Sequence, residues 1–131
     1  MSVTFNDATK ALLDGKNFPV VATTNADGSP QSSVVWARRD GDTVVFATVQ
    51  GRRKERNLRR DPRVSVSVFD MADPENYVEI RGRAEISVEG GRELIDELSR
   101  KYVGEDFPPE PPEVVRVLVR VVPEHVTGHS A

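Results

Sequence analysis

From Val78 to Val88 every second residue is apolar or small (Val78, Ile80, Gly82, Ala84, Ile86, Val88), while Glu79, Arg81, Arg83 and Glu85 fill the positions between them. A period of two sends successive side chains to opposite faces of an extended chain, so this stretch is a half-buried strand. RVSVSVF (63–69) repeats the alternation, and PVVATT (19–24), QSSVVWAR (31–38), TVVFATV (43–49) and VVRVLVRVV (114–122) are β-branched runs bounded by turn residues. Asp27-Gly28 and Asp40-Gly41 are short-range hairpin signals, which predicts an antiparallel meander for the first three strands. Six antiparallel strands in an open sheet would leave long exposed edges, and closing the sheet removes them. The expected fold is mainly β: a small barrel of six mostly antiparallel strands with short flanking helices.

The helices read as three. Phe5, Ala8, Leu12 and Leu13 share a helical face over residues 4–14, with Thr4 as cap and Gly15 as a left-handed stop. Leu94, Ile95, Leu98 and Tyr102 recur at helical spacing over 91–103, an amphipathic helix to lie across the sheet. Between strands three and four, GRRKERNLRRD (51–61) holds helix formers around one apolar residue, Leu58, before Asp61-Pro62 stops it. Residues 71–76 are a loop, the proline-rich stretch 104–113 is a stiff surface connection, and Pro123 marks the end of the last strand.

A chain of 131 residues fits one domain, 1–131. It contains no Cys, which excludes disulfides, Cys-ligated zinc, iron–sulfur clusters and thiolate catalysis. No stretch approaches the length of a membrane span and the N-terminus lacks the apolar run of a signal peptide, so the expected location is cytoplasmic. His125 and His129 have no acidic partner at ligand spacing, which leaves no metal site. No Gly-x-Ser-x-Gly elbow, P-loop or dinucleotide glycine pattern is present, and Glu79 and Glu85 read as cross-strand ion pairs with Arg81 and Arg83.

The anomalous segment is the polar helix. Arg52, Arg53, Lys54, Arg56, Arg59, Arg60 and Arg63 stand against only Glu55 and Asp61, in a chain whose net charge is −3. Concentrated cations on an acidic background attract an anion to one place. Gly51 opens the helix at a strand end, so its dipole and free N–H groups would add to Arg52 and Lys54 in a phosphate cradle. Without that, the run is a solvated surface helix. Trp36, the only Trp, is either core or the wall of a pocket for a planar ligand. An anion cradle with no acid–base or nucleophilic machinery suits a redox protein whose cofactor carries the chemistry.

The order TTNADGSPQSSVVW, GRRKERNLRRDPRVSVSV, YVEIRGRAEI resembles the pyridoxamine 5'-phosphate oxidase-like split β-barrel family of flavin and deazaflavin oxidoreductases, from about Phe18 to Val122. Within it the short form is similar to the actinobacterial branch that uses the 8-hydroxy-5-deazaflavin coenzyme F-420. The resemblance implies that Arg52, Lys54 and Asn57 hold the cofactor phosphate with help from Thr48, and that Ser33, Val35 and Trp36 line the ring. It also implies a homodimer with the cofactor in a groove between subunits, where Tyr77 of the partner chain contributes. Val34 stands where many relatives carry Pro before Val-Trp, and the C-terminal substrate-binding extension of the vitamin oxidase does not follow VRVVPEHV. The expected activity is hydride transfer from the reduced deazaflavin to a small conjugated acceptor, an enone, quinone or lactone. FMN on the same barrel is the first alternative, and a non-catalytic cofactor carrier is a second. Nucleic-acid binding through the basic helix is the weakest, given the negative net charge and few stacking residues.

Overall fold

The computed structural model describes residues 3–131. In chain order the elements are α1 (Asp7–Asp14), β1 (Val20–Thr24), β2 (Pro30–Val34), β3 (Ala37–Asp40), β4 (Thr43–Val49), α2 (Arg53–Arg60), β5 (Arg63–Asp70), β6 (Asp73–Ser87), α3 (Gly91–Tyr102) and β7 (Arg116–Thr127). The strands form one 7-stranded sheet in the order β2-β1-β5-β6-β7-β4-β3, and every neighbouring pair is antiparallel. No helix among the described residues is long and apolar enough to cross a membrane.

The mainly-β architecture follows the alternation in the sequence, but there are seven strands where six were expected. The stretch 31–38 divides at Val35 and Trp36: β2 pairs with β1, and β3 pairs with β4. The meander therefore separates into two hairpins at opposite ends of the sheet order. Because β2 and β3 are consecutive in the chain and terminal in the sheet, the two residues between them carry the backbone from one edge to the other. That handover closes the barrel.

Other departures have local causes. Helix α1 is capped by Asn6, whose side chain accepts from the Thr9 N–H, so Thr4 lies outside it, and Gly15 is extended (φ −72°) instead of left-handed. The loop expected at 71–76 shrinks to a turn at Met71–Ala72, with β6 already begun at Asp73. Strand β7 continues past Pro123 to Thr127 because the register slips there: Gly82 opposes Pro123 but Arg81 opposes His125. A bulge is where a strand tolerates a residue without an N–H.

Gly82 makes the slip possible. A Cβ at this position would stand 2.0 Å from the Val122 carbonyl oxygen, so β7 crosses closer than any side chain allows.

The inner core is built from alternate strand residues, among them Val21, Val44, Phe46, Val66, Val68, Val78, Ile80, Val117, Val119 and Val121. Helix α3 covers the outer face of β4 with Leu94, Leu98 and Tyr102, burying Val45 as well. Both faces of β4 are thereby covered, which explains its nearly unbroken apolar run.

Gly82→Ala is expected to lower stability by about 1–3 kcal/mol, the range for forcing atoms into a packed site. Gly41→Ala, at φ +60° with open space around it, should cost about 1 kcal/mol through backbone conformation alone. Urea unfolding of both variants, with Gly82→Ala no worse than Gly41→Ala, would contradict the close-approach account.

Candidate functional site

Where β4 runs out, Gly51 turns the chain at φ +95° and α2 begins. The Gly51 N–H is not free: it donates to Glu55 Oε1 at 2.8 Å, and Glu55, 2 % exposed, is also paired with Arg59. Burial alone would push the Glu55 carboxyl up, but the Gly51 N–H and Arg59 outweigh it and hold it below the usual range. This internal capping interaction replaces the free Gly51 amide expected from the sequence.

The seven cations of this segment separate into two groups. Arg59 is paired with Glu55, and Arg63 with Asp61, whose carboxyl is pulled down to about 2 chiefly by hydrogen bonds from Arg63. Arg60 donates to the Thr24 carbonyl and to Asn57 Oδ1. Arg52, Arg53, Lys54 and Arg56, at the start of the helix, pair with no carboxylate among the described residues. The uncompensated charge is therefore at the end where the helix dipole is also positive.

Arg52 and Lys54 line a cavity of about 360 Å³ together with Phe18, Val34, Val35, Trp36, Ala47, Thr48 and Ile95. Lys54 Nζ donates to Ser33 Oγ at 3.1 Å. Burial, reinforced by the positive charges of Arg52 and Arg116, pushes the Lys54 ammonium below the ordinary lysine range. An anion bound beside Lys54 would oppose this shift by favouring the charged ammonium. On the same cavity lining, the Thr48 hydroxyl is buried with the residue 1 % exposed, and it has no hydrogen-bond partner among the described residues. A buried polar atom with no partner is costly, and here it belongs to a cavity lining that also holds cations. Two uncompensated cations, an unpaired hydroxyl and a helix N-terminus are a donor set suited to a phosphate group.

The cavity lining also holds two aromatic residues, Phe18 and Trp36. Trp36 stacks on Tyr102 with ring centroids 5.6 Å apart and planes within 9°, and Phe107 from the proline-rich connection meets it edge-on at 6.3 Å. The cavity residues include no carboxylate and no imidazole. Such a lining offers cations to an anionic group and an indole to a flat one, and it carries no general acid–base pair.

Of the site residues expected from the sequence, Val35, Trp36, Thr48, Arg52 and Lys54 lie together on this cavity, with Ser33 joined to it through Lys54. Asn57 does not reach it. Its amide is fully buried and donates to Thr23 Oγ1 and Asn25 Oδ1, both at 3.0 Å, tying α2 to β1 and its turn. Tyr77 lies on the outer face of β6, exposed and paired across the ladder with Phe69. Phe18, Ala47 and Ile95 were not anticipated: Ile95 reads as core of α3, and Ala47 is marked only as the one small residue in TVVFATV.

The chain belongs to the pyridoxamine 5'-phosphate oxidase family, whose profile matches residues 5–130. It is 35% identical over 79 residues to a pyridoxine/pyridoxamine 5'-phosphate oxidase of Aeromonas hydrophila, a match covering 60% of this chain and 37% of that protein. A protein of the same description from Kineococcus radiotolerans is 36% identical over 81 residues, covering 62% of this chain and 36% of the relative. The matches thus span little more than a third of the length of these curated relatives. Among solved structures, an F-420 reductase superposes with a TM-score of 0.82 at 30% identity, covering 90% of this chain and 94% of that one. A conserved hypothetical protein from Mycobacterium tuberculosis superposes with a TM-score of 0.75 at 25% identity, covering 95% and 84%.

The different surroundings of Asn57 and Lys54 should separate in the empty protein. Asn57→Ala leaves Thr23 and Asn25 without their partner and is expected to cost about 1–3 kcal/mol in urea unfolding. Lys54→Ala gives up one hydrogen bond and relieves a like-charge contact, so its effect should stay within about 0.5 kcal/mol. Equal losses would contradict the division between a structural and a ligand-facing residue.

Proposed function

We propose that this member of an oxidoreductase family binds a ribityl-phosphate cofactor in the cavity, coenzyme F-420 in preference to FMN, and passes a hydride to a small conjugated acceptor of the enone, quinone or lactone type. The observation that carries this reading is that one cavity is lined at once by Arg52 and Lys54, which pair with no carboxylate among the described residues, by Thr48 with its unpaired hydroxyl, and by Trp36. The likeness to an F-420 reductase over nearly its whole length supports the choice of deazaflavin. FMN stays the second reading because the same cradle suits either phosphate arm.

When bound, the cofactor supplies the two-electron redox chemistry, and the chain supplies binding, orientation and shielding. Arg52 and Lys54 would take the phosphate, with Thr48 donating its hydroxyl and Ser33 holding Lys54 Nζ in place. Val35 and Trp36 would flank the ring, where an apolar wall excludes water and fixes the approach of the acceptor. Asn57 enters this reading as the residue that fixes the angle of α2, and so the aim of Arg52 and Lys54.

Val34, one of the cavity-lining residues, is 64% exposed. The outer face of β2, β1, β5 and β6 adjoins it and carries exposed Phe69 and Tyr77. A homodimer formed over this face would cover Val34 and bring the partner chain's Tyr77 toward the groove, which completes the proposed assembly. The protein is proposed to work in the cytoplasm on small molecules, with neither a nucleic acid nor a membrane as partner.

Titration with F-420 and FMN, followed by absorbance, tests the assignment. Lys54→Ala should weaken the preferred cofactor about tenfold to a hundredfold, the equivalent of one charge-assisted hydrogen bond, while Arg60→Ala should matter much less. Since the protonated ammonium is the binding form and its pKa lies below the ordinary lysine range, affinity should fall as pH rises through that lowered pKa. The decline should flatten in Lys54→Ala. A protein that holds FMN and ignores F-420, or loses equal affinity with either substitution, contradicts the proposal.

A further inference from the structure

Tyr102 is 6% exposed in the last turn of α3 and does not line the cavity, yet it touches both aromatic residues that do. Its ring lies 5.1 Å from Phe18, tilted by 44°, and 5.6 Å from Trp36, nearly parallel. Its hydroxyl donates to the Asn17 carbonyl at 2.5 Å, the residue before Phe18. The Ala37 N–H, one residue after Trp36, donates into the same hydroxyl at 3.4 Å. One phenol therefore joins, through donor, acceptor and ring face, the two backbone segments that carry the aromatic cavity wall.

These segments need such an anchor. Val35 and Trp36 lie between β2 and β3, outside both ladders, and the Val35 N–H is held by the Pro19 carbonyl at 2.9 Å. Neighbouring Lys101 reinforces the point: its Nζ donates to the Ala37 carbonyl at 2.9 Å and the Leu13 carbonyl at 2.8 Å. A buried phenylalanine would fill the same space. The phenol oxygen, whose burial must be compensated, is used on Asn17, outside any strand, and on Ala37, where β3 begins.

We infer that Tyr102 is a positioning residue, holding the Trp36 indole and Phe18 at fixed orientation so that a planar ligand meets a rigid wall. This rests on the proposed placement of the cofactor ring against Trp36, but it assigns a separate function to a residue outside the cavity. A wall held in place before binding spares the ligand the cost of ordering it. The effect should therefore fall on the flat part of a ligand and spare its phosphate.

Trp36 is the only tryptophan, so its emission, excited beyond tyrosine absorption, reports on this wall alone. The test compares the full-length protein with Tyr102→Phe, and with Val66→Ala as a control that loosens the inner core on the other side of the sheet. In the unliganded Tyr102→Phe variant the emission should shift to longer wavelength and its anisotropy fall. Affinity for both FMN and riboflavin should drop by the same factor, about three- to tenfold, as expected for re-ordering one loosened side chain. Binding of inorganic phosphate, followed by phosphorus resonance, should stay unchanged.

Val66→Ala should lower the melting temperature and leave emission and affinities as they are. Unmoved emission and affinity in Tyr102→Phe, or equal changes in Val66→Ala, would overturn the inference. If neither F-420 nor either flavin quenches Trp36 in the unmodified protein, the cofactor placement falls while the emission and anisotropy of unliganded Tyr102→Phe still decide the positioning claim. Should Tyr102→Phe not fold, Lys101→Met keeps the ring and removes the second hook on Ala37. A smaller shift in the same direction then supports the inference, and none overturns it.

Discussion

The handover of the chain from β2 to β3 at Val35–Trp36 is the constraint on which the rest depends. A sheet ordered β2-β1-β5-β6-β7-β4-β3 closes only because its two end strands are consecutive in sequence. The residues that make the connection cannot sit in either ladder, so they are held from outside: Val35 by the Pro19 carbonyl, and Trp36 by the ring of Tyr102, whose hydroxyl also takes the N–H of Ala37 where β3 begins. Because it is outside the ladders, this same stretch is free to present side chains sideways into a cavity. Closure of the barrel and the wall of the site are two results of one topological requirement.

The second ingredient is electrostatic and lies where β4 ends. The basic helix is not a diffuse cation. Its rear cations are neutralised or tied down by Glu55, Asp61, Asn57 and the Thr24 carbonyl, and its front cations pair with no carboxylate among the described residues, since Glu55 in the first turn is taken by Gly51 and Arg59. Asn57, wholly buried, fixes the helix against β1 and its turn. A rigid mount with free charge at its exposed end favours a localised anion more than a long polyanion that would track along a face. The Thr48 hydroxyl, buried without a partner at the same end, is the polar atom that the folded chain alone leaves unsatisfied there.

Much of this was legible in the residues. The alternation of 63–69 and 78–88 identifies the central strands, and the charge run at 52–63 identifies the basic helix beside the cavity. The division of 31–38 was not, because QSSVVWAR has strand propensity throughout and pairing partners are a non-local property. Asn57 reads as one more polar residue on a basic helix, and only the folded chain shows its amide spent on Thr23 and Asn25. Ile95 and Phe18 are apolar residues at helical or strand-end positions, indistinguishable from core until the packing of α3 leaves them at the cavity. The bulge at Pro123 could be suspected from a proline inside a β-branched run, but its partner Gly82 sits in a perfectly alternating strand and gives no sign of the close crossing.

A crystal structure of the protein with its preferred cofactor bound tests the central claim most directly. The account predicts the phosphate against Arg52, Lys54 and the Thr48 hydroxyl, with the ring along Trp36. The phosphate lodged instead in the depression of about 540 Å³ lined by Arg63, Arg81 and His125 would contradict it, as would a ring that makes no contact with Trp36.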